Sequence, residues 1–143
     1  MNVPDRAMAI AKELSVNDTG ETGTHQDGIL VPKKPWILSF FPRLDGTQKN
    51  PRHHLIFIDD DGRRWEFAFI YYNNRAFGGT RNEYRLTRTT PYIRGAGLRR
   101  GDQLILRRDE SGTRLVTFKR AQPLQWTTRG ALKLSGEWRE IKF

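Results

Sequence analysis

Cysteine is absent from this chain of 143 residues. That excludes disulfides, thiolate zinc centres and cysteine nucleophiles, and it suits a reducing compartment. Histidine is scarce, with only His25, His53 and His54, so any metal site would have to be built from carboxylates. No apolar run approaches the roughly 18 residues that a membrane span needs, and no targeting segment, internal repeat or low-complexity tract is apparent. Acidic residues are the minority: 16 Asp plus Glu face 25 Lys plus Arg, leaving a net charge of +9, so a polyanion is the first partner to expect. The length suits one domain with a real core.

Catalytic sets are equally hard to find. A metal-dependent nuclease needs an acidic residue followed by a carboxylate, one residue and a lysine, on adjacent strands. The one tripeptide of that form worth weighing, Glu140-Ile141-Lys142, has its nearest upstream acidic cluster at Asp109 and Glu110, about 30 residues away. It reads as a last strand with charges on its wet face. The histidines sit in loops without partners for a Ser/His/Asp arrangement, and His53-His54 has no further ligands nearby. The expectation is that this chain does no chemistry. Asp59-Asp60-Asp61 lacks the alternate spacing and distal glutamate of a calcium loop, and reads as a hairpin turn.

What is present is mostly β in pattern. Residues 55–58, a turn at Asp59-Asp60-Asp61-Gly62 and residues 64–72 read as strand, turn, strand. Residues 103–108 and 114–119 alternate around a turn at Asp109-Glu110-Ser111-Gly112, and one or two more strands are expected among 124–127, 132–134 and 138–143. Residues 33–42 (KKPWILSFFP) read as a short helix with Pro35 at its first position and Pro42 as its stop. Trp36, Ile37, Phe40 and Phe41 would then plug one end of a β core. Residues 92–100 form a turn or short helix. Residues 15–27 (SVNDTGETGTHQD) read as a polar loop, long enough to wrap a ligand as a second recognition arm. Residues 8–14 do not separate helix from strand by periodicity, although their alanines favour helix.

The stretch that organises the chain is residues 71–88, YYNNRAFGGTRNEYRLTR. It leaves an apolar strand, passes Asn73, Asn74, Gly78 and Gly79, and returns as a charged arm. In an extended segment Arg81, Glu83 and Arg85 point the same way, spaced by about 6.8 Å, close to two base-pair rises of roughly 3.4 Å. Arginine offers paired donors to guanine O6 and N7, and a carboxylate accepts from the cytosine amino group, so the row has the chemistry to read G·C pairs in the major groove. A carboxylate among phosphates is repelled unless something compensates it, so a protein that only grips the backbone has little use for Glu83. The bland alternative is an exposed strand face with surface ion pairs, each worth about 0 to 1 kcal/mol.

Residues 14–32 (LSVNDTGETGTHQDGILVP) and 70–88 (IYYNNRAFGGTRNEYRLTR) closely resemble the N-terminal effector-binding domain of EcoRII-type restriction endonucleases, which are B3-like DNA-binding pseudobarrels. Residues 97–107 (GLRRGDQLILR) and the segment KELSVNDTG resemble stretches of plant B3 domains, so the likeness spans nearly the whole chain. It implies a mainly β, seven-stranded open pseudobarrel with two short helices and makes residues 8–14 a strand. It also implies two arms that grip the major groove, an N-arm over residues 18–26 and a C-arm over 75–88. Base contacts would fall on His25, Arg81, Glu83 and Arg85. Lys12, Asp18, Thr24, Gln26, Asn73, Asn74, Arg75, Asn82, Tyr84 and Arg88 would touch backbone or brace the arms.

The site implied for the group is CCWGG, where W is A or T, in double-stranded DNA. The resemblance further implies a bacterial cytoplasmic restriction–modification protein, with a nuclease domain in the same polypeptide. No cofactor is expected for binding, Mg²⁺ entering only with that separate catalytic domain. The chain departs from the group's pattern at Gly79 and Tyr84, where basic residues are usual, and at Leu30, where tyrosine is usual. An arm with two fewer cations should show a shallower salt dependence. Two other readings stay open: a stand-alone B3-like transcriptional regulator, and a single-strand or RNA binder of OB type. Against the last, Trp36, Phe40, Phe67 and Phe69 fall in core alternation, leaving few aromatics for a stacking platform.

Overall fold

A computed structural model describes residues 7–21, 28–121 and 137–142. Eight strands run through them: β1 (Met8–Glu13), β2 (Ile29–Val31), β3 (Arg52–Ile58), β4 (Arg64–Tyr72), β5 (Glu83–Thr87), β6 (Gln103–Arg108), β7 (Arg114–Lys119) and β8 (Trp138–Ile141). They form one sheet in the order β2-β5-β4-β3-β7-β6-β1-β8, antiparallel except for the short parallel contact of β3 with β7. The sheet curls until its two edges nearly meet. There the Trp138 indole on β8 donates to the Leu30 carbonyl of β2 at 2.9 Å, which makes the seam of a nearly closed barrel. The mainly β pseudobarrel is therefore as expected, with one strand more than seven.

Three short α-helices are present among the described residues, α1 (Val16–Thr19), α2 (Pro35–Leu38) and α3 (Thr90–Gly95), with a 3-10 turn at Asn74–Phe77. No helix of the described residues is long and apolar enough to cross a membrane, which says nothing about strands. The expected helix over residues 33–42 starts at Pro35 as read, but its α-helical part ends at Leu38. Ile37, Phe40 and Phe41 are buried beneath the barrel end and Trp36 is half-buried.

Strand β1 shows why its alanines misled. It is hydrogen-bonded on both sides, to β6 and β8, and Ala9, Ile10, Ala11 and Lys12 are all buried. A strand covered on both faces loses the period-2 signal, and the sheet partners override a modest preference for helix. The polar loop over residues 15–27 needs a correction too. Its start is one helical turn, α1, closed by a capping box in which Ser15 Oγ accepts from the Asp18 N–H at 3.1 Å and Asp18 Oδ2 from the Ser15 N–H at 3.0 Å.

The aspartate turn between β3 and β4 is a hairpin, as read. Asp59 Oδ1 accepts from the Asp61 and Arg63 N–H groups, both at 2.9 Å, while Oδ2 takes the Trp65 indole at 2.9 Å. Asp109 repeats the device between β6 and β7, accepting from the Ser111 and Thr113 N–H groups at 2.9 Å each. Phe57, Phe67, Phe69, Leu86, Leu104 and Leu106 fill the barrel interior. The strands expected at 124–127 and 132–134 lie outside the described residues.

Candidate nucleic-acid interface

The turn of the C-arm is fastened by two asparagines at its start. Asn73 is buried at the end of β4, where its amide donates to the carbonyls of Gly46 (3.2 Å) and Gln48 (2.7 Å) and its Oδ1 accepts from the Asn50 N–H (2.7 Å). Asn74 Oδ1 accepts from the Arg81 N–H at 2.6 Å, and the Arg75 N–H donates to the Arg81 carbonyl at 2.9 Å, so the loop closes on itself at the foot of the returning strand. A Cβ on Gly79 would stand 2.8 Å from the Asn74 side chain. Gly79 thus leaves room for the Asn74 brace.

The row assembles at the start of β5, with Glu83 and Arg85 on one face of the strand and Arg81 two residues before it. Glu83 pairs with Arg81, whose Nη2 lies 2.9 Å from Oε1, and with Arg85, whose Nη2 lies 3.2 Å from Oε2. The three side chains are partly exposed, at 31%, 26% and 21% for Arg81, Glu83 and Arg85. The Arg81 guanidinium also lies 3.8 Å above the centre of the Tyr72 ring, a cation–π contact. Burial pushes the Glu83 carboxyl up, but hydrogen bonds and charge from the two arginines outweigh it and hold the group below its ordinary value. The ion pairs of the bland alternative are real. They also fan two guanidiniums either side of one carboxylate, an alternating row with donors and an acceptor for base edges.

The N-arm begins with a buried ion pair. Lys12 Nζ lies 3.0 Å from Asp18 Oδ2, both side chains under a tenth exposed, and it also donates to the Glu13 carbonyl at 2.9 Å. Thr24, His25 and Gln26 lie outside the described residues. Where the chain resumes, Gly28 has φ of 84° and a Cβ there would fall 2.3 Å from the Leu86 carbonyl oxygen, so only glycine fits this approach to β5. Its carbonyl accepts from Arg85 Nη1 at 3.2 Å, which ties the root of one arm to the other. Between the two lies a cavity of about 480 Å³ whose lining includes Lys12, Asp18, Gly28, Leu30, Arg85 and Trp138.

The remaining candidates are spread around this centre. Arg75 is exposed on the 3-10 turn, and Arg88, held at a left-handed φ of 62°, is exposed and paired with Glu66 at 3.1 Å. Asn82 Oδ1 accepts the Tyr71 hydroxyl at 2.6 Å, and the Tyr84 ring lies between those of Tyr71 and Phe69. Residue-type reasoning passed over Tyr71, Tyr72 and Gly28, whose parts depend on contacts across the sheet. It also passed over Phe77, 47% exposed at the arm's tip. A lone phenyl inside a polar, glycine-bearing turn was a visible signal for it.

Comparison with known proteins places this geometry. A profile of the family described as "Restriction endonuclease EcoRII, N-terminal" matches residues 3–96, which include both arms. The type II restriction enzyme EcoRII of Escherichia coli is 44% identical over 80 residues, covering 54% of this chain and 20% of that protein. Two proteins of Arabidopsis thaliana also match: auxin response factor 10, 29% identical over 121 residues (85% of this chain, 16% of that protein), and auxin response factor 12, 31% over 118 residues (82% and 18%). The chain thus spans no more than a fifth of the length of these relatives. The family match over most of the chain and the barrel agree: the chain belongs to the EcoRII N-terminal family of B3-like DNA-binding domains.

Proposed function

We propose that this domain recognises a specific double-stranded sequence through the major groove, with CCWGG as its target, and serves as the target-recognition or effector domain of a type II restriction endonuclease. The observation that carries the reading is the Arg81–Glu83–Arg85 row, with Glu83 and Arg85 on one face of β5 and Arg81 just before it, held together by its own ion pairs. A carboxylate set between two guanidiniums suits cytosine amino groups flanked by guanine edges and is wasted on phosphates. Arg81, Glu83 and Arg85 read bases from the C-arm and His25 from the N-arm. Arg75 and Arg88 are exposed cations beside the row and meet phosphates, joined by Thr24 and Gln26 from the N-arm. Lys12, Asp18, Asn73, Asn74, Asn82 and Tyr84 hold the arms in place. The nuclease belongs to the same polypeptide, as the EcoRII relative suggests, and recognition itself takes no cofactor.

A competition gel shift without Mg²⁺, at about 100 mM salt, tests this with a CCWGG duplex, its single-base variants and the matching single strand. The expected result is a preference for the intact duplex of roughly two orders of magnitude or more. Equal affinity for every duplex would remove the base-reading role from the row, and preference for the single strand would remove the duplex.

A further inference from the structure

Four aromatic rings run nearly parallel from the barrel interior out to the C-arm. Phe41 and Phe69 stack at 4.2 Å between centroids and 7° between planes, Phe69 and Tyr84 at 5.5 Å and 13°, Tyr84 and Tyr71 at 4.3 Å and 10°. The inner end is anchored, since Phe69 and Phe41 are buried and Phe40 meets Phe41 edge-on at 5.0 Å. At the outer end Lys33 Nζ stands 5.9 Å from the Tyr71 ring centre, and the Tyr71 hydroxyl donates to Asn82, between Arg81 and Glu83. The segment carrying α2 therefore touches the column at both ends, through Lys33 and Phe41.

We propose that Tyr84 and Tyr71 are positioning residues that set the register of the Arg81–Glu83–Arg85 row through this column, without touching DNA. The inference rests on the base-reading role proposed above and assigns the means of its precision. Tyr84 sits between Glu83 and Arg85 on β5, so its ring points to the opposite face of the strand from theirs. A slip of one residue would turn the whole row to the other face, and sliding or peeling β5 requires the Tyr84 ring to leave both neighbours. The Tyr84 ring thus acts on the row through alignment. Removing it should alter which duplex is preferred and leave the number of phosphates neutralised unchanged.

Tyr84→Leu, Tyr84→Phe and Tyr71→Leu separate these cases, each compared with the unaltered chain by competition binding, salt dependence and amide hydrogen exchange. Tyr71→Leu, at the solvent end of the column, serves if Tyr84→Leu does not fold. Tyr84→Leu should cut the ratio of target to single-base-variant affinity about tenfold, the scale of lost aromatic stacking, at unchanged salt slope. Tyr71→Leu should do the same more weakly, and Tyr84→Phe should keep the ratio. Exchange should quicken across residues 81–87 and not across β6 and β7. A merely structural role lowers all affinities together and keeps the ratio, which would overturn the proposal, as would a salt slope that falls in Tyr84→Phe. Should the unaltered chain prefer no duplex, the base-reading role fails by itself. The positioning then stands or falls on the local exchange, which an unchanged rate at residues 81–87 would defeat.

Discussion

At the described foot of the N-arm one pair of charges is turned inward: Lys12 and Asp18 neutralise each other, and the same Asp18 carboxylate closes the capping box with Ser15. In the C-arm the bracing is neutral, supplied by the amides of Asn73 and Asn74 and by stacked rings, and the charges stand partly exposed in a row as Arg81, Glu83 and Arg85. The tight turns at Asp59 and Asp109 satisfy their N–H groups with carboxylates, whereas the Arg81 N–H of the C-arm meets a carboxamide. The difference has an electrostatic reason. A carboxylate brace beside DNA adds repulsion from every phosphate within about 10 Å at ordinary salt, and an amide oxygen accepts the same hydrogen bond without it. An arm that displays charge is held by groups that have none.

The comparison breaks most sharply at Lys12. Its removal leaves a nearly buried carboxylate without its cation, so Lys12→Ala should lose roughly 3 kcal/mol of stability and weaken all duplexes alike. Pairing Lys12→Met with Asp18→Asn should recover a good part of that loss, measured by denaturant unfolding. A double variant no better than Lys12→Ala would show that the ion pair is not what holds the arm.

Displayed charges should behave differently. Arg81→Ala and Arg85→Ala should each lose about 1 to 3 kcal/mol of binding to the preferred duplex and relax one G·C position, with smaller changes in stability. Arg88→Ala should weaken every sequence equally and reduce the salt slope by about one. The same loss from all three variants on target and scrambled duplexes would mean that the row reads nothing. Converting the brace itself is a subtler step. Asn74→Asp keeps an oxygen for the Arg81 N–H but adds charge, so it should weaken all duplexes by about 1 kcal/mol, within the range for one screened contact. Binding as tight as that of the unaltered chain would remove the electrostatic reason for the amide.

Much of this was legible in the residues, and the exceptions share one cause. Strands β6 and β7 were legible over their full spans because alternation flanks a glycine-bearing turn, and the face shared by Glu83 and Arg85 follows from a period of two. Helix α1 announced itself as a serine followed three residues later by an aspartate, a cap signal overlooked within a polar stretch. Strand β1 was recovered only through resemblance, because its alanines report local preference while its structure is decided by β6 and β8. The Lys12–Asp18 pair closes over a turn and the Phe41–Phe69–Tyr84–Tyr71 column joins three segments. Contacts of that kind are written in no single stretch.

The row's own ion pairs supply the smallest effect. Glu83 is held below its ordinary pKa of 4.5, so the stability it contributes is fully present above that value and is lost as pH falls through the lower, folded value. Glu83→Gln removes this contribution at every pH. The difference in melting temperature between the unaltered chain and the Glu83→Gln variant should therefore be constant above about pH 5 and shrink below about pH 4. It should also be small, since each partly exposed pair is worth about 0 to 1 kcal/mol. A gap that widens in acid would mean that burial, which opposes the charged form, outweighs the two arginines. Glu83 would then be a strained group maintained for what it reads and not for what it stabilises.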